Sequence, residues 1–183
     1  MFNSLFDGAP VDIMQMLDAR ERRAHTQQQL LEQFNPCVLV SITLNIPGPV
    51  KNSEAITTVF ASVISELDEA LVPFEKLHQE DFSLPTGMEF YRVLRADALS
   101  VKRACTEFEE GHSLGRLLDI DVVEMAGETP SPISRTALGM PPRCCFICNE
   151  EAKVCARSRK HTVLEMQEHI ARIIAIYTST QRP

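Results

Sequence analysis

The run Leu117-Leu118-Asp119-Ile120-Asp121-Val122-Val123 limits the folds open to this chain more than any other stretch. It is apolar and rich in branched side chains, which predicts a strand with at least one buried face. Side chains along a strand alternate between faces. Leu118, Ile120 and Val122 then share one face, and Leu117, Asp119, Asp121 and Val123 share the other. Two carboxylates on one face, about 7 Å apart along the strand, repel each other, and one tends to protonate. A fold that encloses this strand must therefore relieve the pair. One resolution is a solvated face or an arginine partner for Asp119. The other is Mg²⁺, which accepts carboxylate oxygens while keeping water and substrate phosphates. Gly115 and Arg116 stand just before the strand, where a glycine turn can approach a phosphate closely and a cation is at hand.

The remaining sequence supplies elements to enclose that strand. Asp12 to Phe34 predicts a long helix closed by Asn35-Pro36, with Ile13, Leu17, Arg20, Ala24, Gln27, Leu31 and Phe34 on one face. Arg20 and Gln27 interrupt this stripe, either snorkelling to water at its edge or pointing into a site between helix and sheet. Cys37–Leu44 predicts a buried strand, with Ser41, Thr43 and Asn45 on a common face. The stiff turn Ile46–Lys51 leads into a helix over Glu54–Leu71, capped by Asn52 or Ser53. A lysine beside free N–H groups at a helix start suits an anion, although Lys51 is not part of a Walker pattern. Strands near Glu75–Phe82 and Met88–Arg95 come next. A helix from Asp97 to about Glu110 then turns Ala98, Val101, Cys105 and Phe108 inward, and His112 continues that face as a hydrogen-bonded core histidine or a base. A loop-rich region begins at Gly127, and the amphipathic helix Val163–Tyr177 closes the chain. This alternation predicts one α/β domain spanning 1–183, a mixed sheet flanked by helices.

Charge and composition narrow the partners. The net charge of −7 argues against a non-specific binder of nucleic acid or anionic membrane. No apolar run approaches the roughly 20 residues of a membrane span. The N-terminus lacks the pattern of a secretory signal, so a cytoplasmic location is expected. Residues 113–161 hold seven Lys/Arg against six Asp/Glu, so the remainder of the chain carries −8. The cations there are mostly arginines, including Arg116, Arg135 and Arg143, whose planar forks suit phosphate on a small ligand. Cys144, Cys145, Cys148 and Cys155 crowd into twelve residues. Cys148 and Cys155 read first as small buried hydrophobes seven apart on a helix face. The other reading is a structural zinc site of Cys145, Cys148, Cys155 and His161, with no open coordination position.

Taken together, these blocks resemble the holo-acyl-carrier-protein synthase family of citrate lyase, the apo-citrate lyase phosphoribosyl-dephospho-CoA transferases. The resemblance rests on Leu17-Asp18-Ala19-Arg20-Glu21 with Arg23 and Gln27, on Leu39-Val40-Ser41 leading to Pro47–Lys51, and on Lys102, Glu107, Glu109 and His112. Its core is Leu114–Val122, followed by Ser134-Arg135, Pro142-Arg143, Cys145-x2-Cys148, Cys155-Ala156-Arg157 and His161. Cys144 departs from the basic residue usual there, so one cation of the cluster is missing. The resemblance implies transfer of a phosphoribosyl-dephospho-CoA group from a triphosphoribosyl-dephospho-CoA donor to a serine of the lyase's acyl carrier (gamma) subunit, with loss of diphosphate. That is nucleotidyl transfer, and a nucleotidyltransferase-like arrangement is expected with it. By that analogy Asp119 and Asp121 hold Mg²⁺. Gly115, Arg116, Arg135, Arg143, Lys51, Lys102, Arg20 and Arg23 are the candidates for the substrate's phosphates, and Glu109, His112 or a metal-bridged aspartate for the base. Two further readings stand beside it: a non-enzymatic zinc-stabilised module that docks on a lyase complex, and the same chemistry on a malonate decarboxylase carrier.

Overall fold

The computed structural model describes residues 5–181. Its centre is a five-stranded sheet made of β1 (Val38–Leu44), β2 (Glu75–Leu84), β3 (Gly87–Arg95), β4 (Leu118–Ala126) and β5 (Thr129–Pro132), in the order β2-β3-β1-β4-β5. The helices are α1 (Ile13–Gln33), α2 (Glu54–Ala70), α3 (Ala98–Gly111), α4 (Ala152–Ser158) and α5 (Val163–Thr180). The α/β class matches the expectation, but every strand pair is antiparallel where a mixed sheet was expected. The reason lies in the connections: β2–β3 and β4–β5 are hairpins, and β1 sits centrally between β3 and β4, antiparallel to both.

Each long helix begins where the sequence provides an acceptor for its free N–H groups. Asp12 and Gln15 form a reciprocal capping box at α1, and Thr162 and Glu165 form another at α5. Ser53 caps α2, and Asp97 caps α3. The two sheet faces then sort the layers. On one face, Val38, Val40 and Ile42 of β1 join Phe90 and Leu94 of β3 and Leu118, Ile120 and Val122 of β4. Phe60, Val63 and Leu67 of α2, Val101 and Cys105 of α3, and Ile170, Ile174 and Tyr177 of α5 complete this main core. Arg92 is the exception on that face: fully buried, it is held by Asp68 of α2 at 2.7 Å and by Asp81 of β2.

Among the described helices α1 covers the opposite face, whose composition changes row by row. Strand register lines up Val93, Leu39 and Val123, then Tyr91, Ser41 and Asp121, then Glu89, Thr43 and Asp119. Only the first row is apolar, and only there does α1 pack tightly, through Leu30 and Leu31. The stripe expected from Ile13 and Leu17 is therefore displaced. Those residues are 79% and 44% exposed, while Ala19, Leu30 and Leu31 are buried. In rows two and three only the Tyr91 ring joins the apolar cluster, and of the early α1 residues only Ala19 is buried. Those turns span a trough with a polar floor.

Gly115 begins a short 3₁₀ turn that brings the chain from α3 into β4. A Cβ at this position would lie 2.6 Å from the Glu109 carbonyl oxygen and 2.8 Å from that of Phe108. The glycine is thus required for close approach to the end of α3. Gly115→Ala should destabilise the protein by about 1–3 kcal/mol, measured by urea denaturation.

Candidate active site

The trough is lined by rows two and three. Glu89 is buried and fully engaged: Arg22 and Arg23 of α1 reach Oε1 at 2.9 and 3.2 Å, and the Tyr91 hydroxyl donates to Oε2 at 3.0 Å. Gln27 of α1 donates to the Ser41 hydroxyl at 3.0 Å. These contacts seat the polar middle of α1 on the sheet. Sequence reading missed Arg22 and Glu89; the available signal was one acid inside the apolar run Met88–Leu94.

Asp119 and Asp121 project from β4 into the same trough, both solvent-accessible. Arg143 donates to Asp119 Oδ1 at 3.2 Å. Among the described residues Asp121 makes no hydrogen bond or ion pair. Crowding by protein atoms pushes its carboxyl up, and the Asp119 charge pushes it further in the same direction. The pair has the repulsion that alternation in the strand predicted, and only one member has a cationic partner.

The edge of β4 explains how Arg143 comes to be there. β5 pairs only with Val123–Ala126, so the backbone groups of Leu118, Ile120 and Val122 on that edge lack a strand partner. Other groups take its place. Arg143 donates to the Leu118 carbonyl at 2.6 Å, Lys102 to the Ile120 carbonyl at 3.0 Å, and the Ile133 N–H to the Val122 carbonyl at 2.7 Å. The Ile120 N–H donates to Glu109, which also receives Arg143 at 2.6 Å and lies 3.9 Å from Arg135. Burial pushes the Glu109 carboxyl up, against the opposing pull of Arg143, Lys102 and Arg135.

Just beyond Arg143 the chain forms the cysteine segment. The Ala152 N–H donates to the Arg143 carbonyl at 2.8 Å, and the Cys145 N–H to the Glu150 carbonyl at 2.7 Å. This closes a loop in which the ligand atoms of Cys145, Cys148, Cys155 and His161 all lie within 4.8 Å of one another, a group that could hold a metal ion. The buried-hydrophobe reading is corrected here: Cys148 lies in the loop, α4 begins only at Ala152, and the two cysteines share no helix face. A hydrogen bond from His161, 3.3 Å away, holds the Cys148 thiol below its ordinary range, whereas burial first pushes Cys155 up to about 11.

Three cavities meet around Asn45, Asp119 and Arg143. A polar one of about 290 Å³ beneath α1 has Arg20, Arg23, Lys51, Glu89 and Asp119 in its lining. Lys51 donates to the Ile46 carbonyl at 2.8 Å, and burial lowers its proton affinity. A second cavity of about 640 Å³ runs along the cysteine segment and includes Arg116 and Arg143. A third, about 690 Å³, lies along the β4 edge and includes Lys102, Glu109, Asp119, Asp121 and Arg135. The structure thus gathers most of the candidate residues into one region. His112 is the residue it does not gather. On the far side of the sheet, its ring stacks on Phe108, meets Tyr177 edge-on, and lies 3.2 Å from Glu66 of α2. Glu109 and Lys102 are buried at the β4 edge, where they hold backbone groups.

Comparison with known proteins places this geometry in a lineage. A family model described as apo-citrate lyase phosphoribosyl-dephospho-CoA transferase (CitX) matches residues 11–177. A probable apo-citrate lyase phosphoribosyl-dephospho-CoA transferase of Streptococcus pyogenes is 41% identical over 172 residues, covering 94% of this chain and 90% of that protein. The Escherichia coli protein named apo-citrate lyase phosphoribosyl-dephospho-CoA transferase is 35% identical, over 85% of this chain and 84% of its own length. Protein CitXG of Leuconostoc mesenteroides is 34% identical over 91% of this chain but only 36% of its own length.

The raised Asp121 carboxyl has a stability consequence with a definite sign. Its charged form opposes folding at neutral pH, and that opposition fades as pH falls through the raised value into the ordinary carboxylate range. Asp121→Asn should therefore raise the melting temperature of the metal-free protein at pH 7. Below about pH 4, where the aspartic acid is itself neutral, the variant and parent should melt together in calorimetry.

Proposed function

This chain belongs to the apo-citrate lyase phosphoribosyl-dephospho-CoA transferase family, and on that premise we propose that it attaches phosphoribosyl-dephospho-CoA to a serine of the citrate lyase acyl carrier subunit. The donor is triphosphoribosyl-dephospho-CoA, the leaving group is diphosphate, and a phosphodiester is formed. The observation that carries this reading is the junction at Asp119. An acidic pair with one unpaired member opens there onto a pocket lined by Arg20, Arg23 and Lys51, with Arg143 alongside.

In-line displacement at phosphorus needs the nucleophile and leaving group held on opposite sides and the growing negative charge neutralised. Arg20, Arg23 and Lys51 are set to bind the triphosphate, with the leaving diphosphate among them. Asp119 and Asp121 would hold Mg²⁺. They fit it chemically, because a divalent cation would offset both the desolvation and the Asp119 charge that raise Asp121. Bound there, the ion would supply charge neutralisation to the phosphate oxygens. The serine proton would pass to the acidic pair, where Asp121 is the accessible member without an arginine partner among the described residues. Glu109 and His112 are set aside from that role by their placement, Glu109 under two arginines and His112 across the sheet.

The cysteine cluster fits zinc. A tetrahedron with Zn–S bonds of about 2.3 Å has edges of about 3.8 Å, and the Cys145 and Cys155 sulfurs lie 3.6 Å apart. The Ile147 N–H donates to the Cys145 sulfur at 3.4 Å, which favours a thiolate there. With four protein ligands such an ion is structural, and its loop carries Arg143 into the site.

Two measurements test this reading. Incubated with apo carrier, donor and Mg²⁺, the protein should add the prosthetic group to serine by intact-mass spectrometry. Asp119→Asn and Asp121→Asn should each lower the rate by about 100-fold or more while remaining folded. Near-parent transfer by either variant would remove the metal role assigned to the pair, no transfer by the parent would favour a non-enzymatic docking module instead, and faster modification of a malonate decarboxylase carrier would reassign the acceptor. Metal analysis should find one zinc per chain. Cys148→Ser should lose it, lower the melting temperature and slow transfer through the displaced Arg143.

A further inference from the structure

The cavities on the two sides of Asn45 differ in chemistry in a way the donor itself reflects. The pocket beneath α1 is small and polar, with three cations in its lining. The one along the cysteine segment is more than twice as large, about 640 Å³ against 290 Å³. Pro47, Phe146, Val163 and Met166 supply apolar walls to it, and arginines mark its charge. Its volume lies in the range of pockets that enclose ligands of nucleotide size.

The guanidinium groups of two of those arginines, Arg116 and Arg159, make no hydrogen bond or ion pair among the described residues. Arg159 is the one non-glycine described residue with positive φ, at 49°, and it terminates α4 at the rim of this cavity. Unpaired guanidinium groups beside an apolar cavity suit a ligand that has both a hydrophobic body and phosphates. A triphosphate alone would gain nothing from Phe146 and Met166. A purely apolar ligand would leave the arginines unused.

We propose that this cavity, walled by the cysteine segment and the start of α5, binds the adenosine–pantetheine arm of the donor, while the polar pocket beneath α1 takes its triphosphate. The assignment rests on the transfer reaction proposed above. It puts the reacting phosphorus where the two cavities meet, next to Asn45, Asp119 and Arg143. The cysteine loop then serves twice, since it carries Arg143 and also forms a wall of the donor's site through Phe146.

Calorimetric titration with two separate probes tests it, dephospho-CoA for the arm and inorganic triphosphate for the polar pocket. The reduced full-length chain should bind each probe in the presence of the other. Arg159→Ser and the cavity-filling Met166→Trp should each weaken dephospho-CoA by about tenfold or more and leave triphosphate within about twofold. Arg20→Ser should do the reverse. Parent-like dephospho-CoA binding in both Arg159→Ser and Met166→Trp would overturn the assignment. So would loss of dephospho-CoA binding in Arg20→Ser alone, or no saturable binding to the parent at millimolar concentration. The failure of the reaction itself reads differently. If the parent transfers nothing to the carrier while Arg159→Ser loses dephospho-CoA, the cavity assignment stands and the reaction falls. If transfer proceeds and both variants bind dephospho-CoA normally, the reaction stands and the cavity assignment falls.

Discussion

The half-unpaired edge of β4 is the constraint on which the site depends. A strand buried this deeply cannot leave Leu118, Ile120 and Val122 without hydrogen-bond partners on one side, since each lost bond costs about 1–3 kcal/mol. A sixth strand, or a longer β5, would satisfy them and close the sheet. Here Arg143, Lys102, Glu109 and the Ile133 N–H do so. Side chains in place of a strand bring charge to a position that ordinary backbone pairing would fill with amides. The arginine that completes the edge at Leu118 is the one that reaches Asp119. Structure and candidate chemistry are thus joined in one guanidinium.

The opposite face shows the same economy. Its rows run from Val93–Leu39–Val123 through Tyr91–Ser41–Asp121 to Glu89–Thr43–Asp119. Burial draws the last turns of α1 onto the apolar row, while Arg22, Arg23 and Gln27 satisfy the polar groups farther along. Apart from the buried Ala19, the earliest turns leave their apolar side chains exposed or half-buried, and a cavity remains over Asp119. Glu89 is neutralised by two arginines, Asp119 by one, and Asp121 by none among the described residues. A gradient of charge compensation therefore runs across the trough, and its uncompensated end is the carboxylate with the raised proton affinity.

The cysteine segment links to this arrangement through the backbone. Its loop is tied to the Arg143 carbonyl, and its inner side forms a cavity wall. A metal held by Cys145, Cys148, Cys155 and His161 would stiffen a stretch that has few other regular hydrogen bonds, which is the usual contribution of a closed four-ligand site in a short loop.

Local pattern made much of this legible before any coordinates. Alternation within Leu117–Val123 put Asp119 and Asp121 on one face, because side-chain direction in a strand has a period of two whatever the fold. Asp12, the pair Asn52/Ser53 and Asp97 marked helix starts, because the acceptor and the N–H groups it satisfies lie within three residues. Pairings between distant segments were not legible in this way. That Arg143 would meet the Leu118 carbonyl, that Glu89 would need Arg22, and that His112 would face Glu66 all depend on which elements become neighbours. So did the placement of the cysteines: spacing alone allowed a shared helix face, and the loop closed by Arg143 and Ala152 instead brings the Cys145, Cys148, Cys155 and His161 ligand atoms within 4.8 Å of one another. The sequence by itself determined that two carboxylates would share a strand face. Only the tertiary structure decided that Arg143 would meet Asp119 while Asp121 meets no cation among the described residues, because burial energy fixes the layers and the charged side chains must then satisfy whatever backbone the layers leave open.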